Sequence, residues 1–87
     1  MNTVNPCRAA EGKKLPSASM IGQSFTSSRL RCAMLCQQTD QCGSINFKPD
    51  AGGGRGVCEL NEIFFFVLSY NDNEIISDDE WQWYEFK

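Results

Sequence analysis

Eighty-seven residues allow one domain near the lower limit for a self-supporting apolar core, and five cysteines in so short a chain point to a disulfide scaffold or a metal module. A formal charge of −3 with no dense Lys/Arg run excludes nucleic acid as the main partner, and the generous aromatic content excludes a disordered chain. The charge is uneven: seven bases and three acids give residues 1–58 a sum of +4, while one base and eight acids give residues 59–87 a sum of −7.

The start, "MNTVNPCRAA", lacks the apolar core of a signal peptide, and no window approaches the roughly 18 apolar residues of a membrane span. The expectation is a mature form or one domain of a longer secreted or cell-surface protein, with Met1 an added initiator. "RAAEGKKLPSASMIGQSF" (8–25) mixes short apolar runs with Gly, Pro and Ser, which predicts two short strands around a turn. Ser27 and Ser28 offer hydroxyls to cap a helix, and the Gly- and Pro-free run from Arg29 to about Gln38 predicts that helix. "GSINFK" (43–48) alternates into a strand, "PDAGGGRG" (49–56) is a flexible hairpin tip, and "VCELN" (57–61) gives another short strand. "IFFFVLSY" (63–70) fits a strand or a buried loop, "NDNEIISDDE" (71–80) an exposed acidic loop, and "WQWYEF" (81–86) a final strand. The order predicts one α+β domain over residues 1–87, with a core of about 8–87: a small antiparallel β-sheet with one α-helix packed on it.

Three of the cysteines fall in "RCAMLCQQTDQC" (31–42). Zinc needs four thiolate or imidazole ligands. Histidine is absent, and Cys42 and Cys58 are too far apart in sequence to form a second close pair. A thioredoxin-type redox pair has two residues between its cysteines at a helix start, whereas Cys32 and Cys36 have three and Cys36 lies well into the helix. Disulfides fit better. On a helix Cys32 and Cys36 share a face about 6 Å apart along the axis with parallel side chains, so each needs a partner elsewhere. A chain leaving the helix near Thr39 and turning back meets Cys36 first, which assigns Cys42 to Cys36 and leaves Cys32 for Cys58. Loop entropy then contributes roughly 3.5 kcal/mol for Cys32–Cys58 and roughly 2.3 kcal/mol for Cys36–Cys42.

A helix carrying C-x3-C, a third cysteine after C-x5, and a strand ending in "CELN" together resemble the PAN module, or apple-like domain. "GKKLPSASMIGQSF" stands where that family has its opening strands, "CGSINF" resembles its post-helix strand, and "WYEF" its closing strand. The resemblance spans about residues 8–87. It implies an extracellular domain whose helix, tied to its neighbours by two bridges, is cradled by a small antiparallel sheet, and which binds another protein or a glycan. Two features depart from the family. The apple subtype has a third bridge joining cysteines near the two ends, yet residues 59–87 contain no cysteine, so Cys7 is an unpaired thiol, or has a partner elsewhere in a longer protein, or makes an intermolecular bond. Heparin-binding relatives among growth factors place basic residues on this helix. Here only Arg29 and Arg31 stand at its start, with Lys13 and Lys14 as candidate neighbours.

Catalysis has little support. Histidine, the commonest general base, is absent, the serines occur in polar turns, and "GGGRG" lacks the Lys-Ser/Thr that follows a phosphate loop. Asp72, Glu74, Asp78, Asp79 and Glu80 lack EF-hand spacing, and no Asn-x-Ser/Thr acceptor exists. Neither a metal nor a cofactor is expected. Strand alternation sets Trp81, Trp83 and Glu85 on one face and Gln82, Tyr84 and Phe86 on the other. With Tyr84 and Phe86 assigned inward, Trp81 and Trp83 are left partly exposed, as candidate stacking or anchoring surfaces. Any surplus of the Ile63–Leu68 run would add an adhesive patch. The sequence thus reads as a non-enzymatic extracellular recognition module with a protein partner. The alternatives are a glycan-binding module using Trp81 or Trp83 beside Arg29, Arg31, Lys13 or Lys14, and a structural or oligomerisation spacer linked through Cys7.

Overall fold

The computed structural model describes residues 8–52, 55–62 and 76–86, with Arg8 described by its backbone alone. Five strands, β1 (Arg8–Lys14), β2 (Met20–Thr26), β3 (Cys42–Pro49), β4 (Gly56–Glu62) and β5 (Ile76–Glu85), and one helix, α1 (Arg29–Gln37), follow one another in the chain with α1 between β2 and β3. The strands form one antiparallel sheet in the order β1-β5-β3-β4-β2, and α1 packs over β3 and β4. This is the expected helix on a small antiparallel sheet.

Local chemistry sets the helix ends. Ser28 has extended backbone and its Oγ accepts from Arg31 N at 3.1 Å, so a hydroxyl satisfies one of the first-turn donors. At the other end Thr39 Oγ1 donates to the Leu35 carbonyl, Thr39 N to Cys36 O, and Cys42 N to Thr39 O, which turns the chain back on the helix. Two bridges close this arrangement, Cys32–Cys58 and Cys36–Cys42, with Cα separations of 5.5 and 5.2 Å. All four half-cystines are buried, so no thiolate remains there for zinc. Cys7 lies outside the described residues, as do 63–75 and with them "IFFFVLSY" and the acids Asp72 and Glu74.

Alternation along the strands makes two distinct faces. Toward α1 point Ile45 and Phe47 of β3, Cys58 and Leu60 of β4 and Tyr84 of β5, which join Cys32, Ala33 and Cys36 in the apolar core, with Leu35 and Phe86 packed against its rim. Away from α1 point Ser44 and Asn46, Glu59 and Asn61, and Trp81 and Trp83, all of them buried as well. The cover for this second face comes from the chain itself.

β1 and β2 were expected to flank a simple turn. They occupy opposite edges of the sheet instead, run in the same direction, and are joined across its second face by Leu15–Ser19, which ends in a short 3-10 turn at Ser17–Ser19. Leu15, itself buried, exchanges backbone hydrogen bonds with the Asn46 amide, and Ser19 Oγ donates to Asn61 Oδ1.

The C-terminal strand is also longer than its sequence suggested. "ISDDE" (76–80), expected within an exposed acidic loop, belongs to β5, where Ile76 and Ser77 pair with Lys14 and Lys13 of β1 before the register shifts. The acids are tolerated because this end of β5 lies against an edge strand and turns its side chains largely to solvent. The expected hairpin tip stands between β3 and β4, closed by Asp50 N donating to Arg55 O.

Candidate functional site

The aromatic surface expected at the chain end is absent. Trp81 is 9 % and Trp83 is 3 % exposed, so neither presents a free ring to a sugar or a protein. The expectation took one face of β5 as solvent-facing, but Lys14 lies over Trp81 there and Leu15 sits on Asn46, the register partner of Trp83. Tyr84 is buried toward the helix as expected, and Phe86 is partly buried.

The basic candidates are dispersed rather than gathered. Lys14 reaches over the second face, where its Nζ stands 3.7 Å from the Trp81 ring centroid and 3.3 Å from Glu59 Oε1. Lys13 donates to Ser77 Oγ at the β1 edge. Arg29 is held on the helix side: its Nη1 donates to the Tyr84 hydroxyl at 3.1 Å, its guanidinium lies over that ring, and the hydroxyl donates on to Gln82 Oε1. Arg31 is exposed on α1. The four bases therefore divide between two faces and an edge, and do not make one anion-binding stripe. Glu80 pairs with Lys48 at 3.0 Å in an exposed contact that adds little stability.

Sequence reading missed the polar layer beneath the crossing. Asn46 Nδ2 donates to the Leu15 carbonyl and to Glu59 Oε1, Asn61 Nδ2 donates to Ser44 Oγ, and Gln23 Nε2 reaches Glu59 Oε2 at 3.4 Å. Asn46, Asn61 and Ser44 alternate with apolar neighbours, a pattern that ordinarily marks a wet face. The layer is a clamp: its donors and acceptors are engaged with one another and with the crossing segment, which leaves them structural.

The surface best suited to a partner is the β2 edge, also missed at the sequence level. Ile21 is 41 % and Phe25 is 51 % exposed on a strand, "MIGQSFT", that contains no charge and no proline. Gln23, Ser24, Phe25 and Val57 line a shallow open hollow of about 280 Å³, and the Arg55 guanidinium lies 5.1 Å from the Phe25 ring centroid. Among the described residues β2 is laddered only to β4 (Gln23↔Glu59, Ser24↔Cys58, Phe25↔Val57). The available signal was an uncharged, proline-free heptad in which Ile21, Phe25 and Thr26 favour strand. Among the described residues no three His, Cys, Asp or Glu side chains converge as metal ligands, and no helix is long and apolar enough to cross a membrane.

Fold and surface together define a small, disulfide-stapled α+β domain in which β2 is an edge strand among the described residues. No protein-family model matches the chain, and no match is found among curated proteins or among solved structures.

Proposed function

We propose that this chain is a non-enzymatic extracellular recognition module of the PAN type that binds another protein through its β2 edge. The observation that carries the reading is a disulfide-held scaffold with an uncharged strand, at the sheet edge among the described residues, on which Ile21 and Phe25 stand exposed. Strand edges bind partners through main-chain hydrogen bonds, with affinity and selectivity refined by alternate side chains. Two features support the PAN assignment: the helix is held by one bridge to the strand that follows it and by a second to β4, and the sheet order leaves α1 cradled on β3 and β4. An oxidising compartment is the setting in which bridges of this kind form and persist, which supports an extracellular location. The glycan reading loses its stacking surface with the burial of Trp81 and Trp83.

The test uses the domain with both bridges intact, immobilised and exposed to extracellular material of its source, beside the Phe25→Lys and Ile21→Lys variants. A protein captured by the wild type, then purified and shown to bind directly with at least tenfold loss on either variant, supports the reading. Binding to a glycan array that Phe25→Lys leaves unchanged would overturn it.

A further inference from the structure

We infer that the side chains of Lys14 and Asn46 join in an intramolecular amide bond, formed once by the folded chain with Glu59 as its acid–base group and ammonia as the other product. The inference is independent of the recognition reading and concerns the polar layer beneath the crossing.

Three strands bring the reacting groups to one atom. Lys14 ends β1, and Asn46 of β3 and Glu59 of β4 are register partners in the sheet. Glu59 Oε1 lies 3.3 Å from Lys14 Nζ and accepts from Asn46 Nδ2 at 3.1 Å. The nucleophile, its proton acceptor and the leaving group thus meet at a single carboxylate oxygen. Gln23 Nε2, 3.4 Å from Glu59 Oε2, engages the other oxygen. Lys13 and Lys48 are placed differently: one donates to Ser77 Oγ and the other pairs with Glu80, both at the surface.

The amide is held ready for attack. Leu15 N donates to Asn46 Oδ1 at 2.9 Å, and the Leu15 carbonyl accepts from Nδ2 at 3.0 Å, which fixes the orientation of the amide. The N–H on Oδ1 stands where negative charge gathers when Cγ becomes tetrahedral, the task of an oxyanion-hole donor. Because Leu15 follows Lys14, the backbone that grips the amide also carries the nucleophile. Lys14 Nζ lies 3.7 Å from the Trp81 ring centroid, and Leu15, Asn46, Glu59 and Trp81 are all buried. Exclusion of water strengthens the contacts of the carboxylate with both nitrogens and withholds the competing nucleophile.

The step balances without an outside reagent. Lys14 Nζ gives a proton to Glu59 Oε1, and rotation of the flexible lysine stem carries the neutral amine from the Trp81 ring onto Asn46 Cγ. The Nζ–Cγ bond forms as the carbonyl electrons move to Oδ1. The carbonyl then reforms, the Cγ–Nδ2 bond breaks, and Glu59 hands its proton to the departing nitrogen, which leaves as ammonia. A second proton passes from Nζ through the same carboxylate to the ammonia, giving ammonium and leaving Glu59 ionised as it began. An amide is a poor electrophile, so the reaction is slow. Its product ties the end of β1 to the central strand β3, a third covalent link that reductant does not open.

The test is the intact mass of the oxidised chain, held at neutral pH and sampled over days. A species lighter by one ammonia is expected, present at the first sampling or accumulating thereafter. After reduction and digestion, tandem mass spectrometry is expected to find Lys14 and Asn46 in one branched peptide. Lys14→Arg is expected to abolish the loss, and Glu59→Gln to slow it at least about a hundredfold. Lys13→Arg, at the β1 edge, is expected to retain it, and circular dichroism verifies that each variant is folded. A wild type whose mass stays constant overturns the inference without recourse to any variant. Ammonia loss confined to an unbranched peptide, the mark of a cyclic imide, overturns it too, as does a bond from Lys14 to Gln23 or Glu59. Cross-linking at the wild-type rate in Glu59→Gln would remove the acid–base group and overturn the mechanism.

Discussion

Asn46 has no solvent exposure, yet it holds the crossing segment with two hydrogen bonds, Leu15 N to its Oδ1 and its Nδ2 to the Leu15 carbonyl, while its Nδ2 also donates to Glu59. Truncating it would leave the buried Leu15 N–H and C=O short of partners, each costing about 1–3 kcal/mol where water cannot enter, while Glu59 Oε1 keeps Lys14. Asn46→Ala is therefore expected to lower the urea midpoint by the equivalent of about 2–4 kcal/mol with an unchanged m value. Asn46→Asp, nearly identical in shape, is expected to be at least as harmful, because it replaces the donor toward Glu59 with a second carboxylate. An aspartate variant as stable as wild type would show that the amide donor carries no weight. Lys14 is the complementary case. Its ammonium both neutralises the buried Glu59 and lies on the Trp81 ring, so Lys14→Met keeps most of the apolar stem and removes both interactions. The expected loss is about 1–3 kcal/mol in the same denaturation. The double variant Lys14→Met/Glu59→Gln should recover part of it, because the stranded charge is gone.

At the scale of elements, the closest backbone approach is at the β3–β4 hairpin. Gly56 pairs with Pro49, and a Cβ placed there would press on the Lys48 carbonyl and stand 2.8 Å from Pro49 Cα, both rigid backbone groups. Gly56→Ala is expected to cost about 1–3 kcal/mol by overpacking, and calorimetry should show a melting temperature lower by several degrees for each kcal/mol. The elements differ in how far the sequence announced them. The helix, its serine cap and the pairing of its cysteines were legible because each depends on residues close in sequence or on the fixed 1.5 Å rise of a helix. The strands around "CGSINF" and "VCELN" were legible from alternation. The separation of β1 from β2 was not, because nothing local in "KKLPSAS" distinguishes a turn from a crossing of the whole sheet. That one topological fact explains the polar layer. It sets Leu15 and Ser19 on Asn46 and Asn61 and so converts their apparent wet face into a polar layer.

At the scale of the molecule, stability rests on a short list of contributors. Among the described residues the apolar core is one cluster between α1 and three strands, and four of its nine buried members are half-cystines. Domains of this size bury too little surface to stand far above the unfolding threshold, so the bridges are comparable with the whole net stability. They are not equivalent. Cys32–Cys58 closes a separation of 26 residues and joins the helix to the sheet, whereas Cys36–Cys42 closes 6 and joins the helix end to the strand that follows it. In the loop-entropy account the longer constraint removes more freedom from the unfolded chain, by about 1.2 kcal/mol. Cys32→Ala/Cys58→Ala is therefore expected to melt below Cys36→Ala/Cys42→Ala, and full reduction to unfold the domain near 37 °C. Thermal melts with and without reductant, with thiol titration in denaturant to count the surviving bridges, give both orders directly. If the short bridge proved the more important, the helix end would be the site that limits stability. The loss would then be enthalpic, from the contact between Thr39, Cys36 and Cys42, rather than entropic. If reduction left the melt unchanged, the two bridges would be passengers, and the polar clamp and core would have to hold the sheet alone.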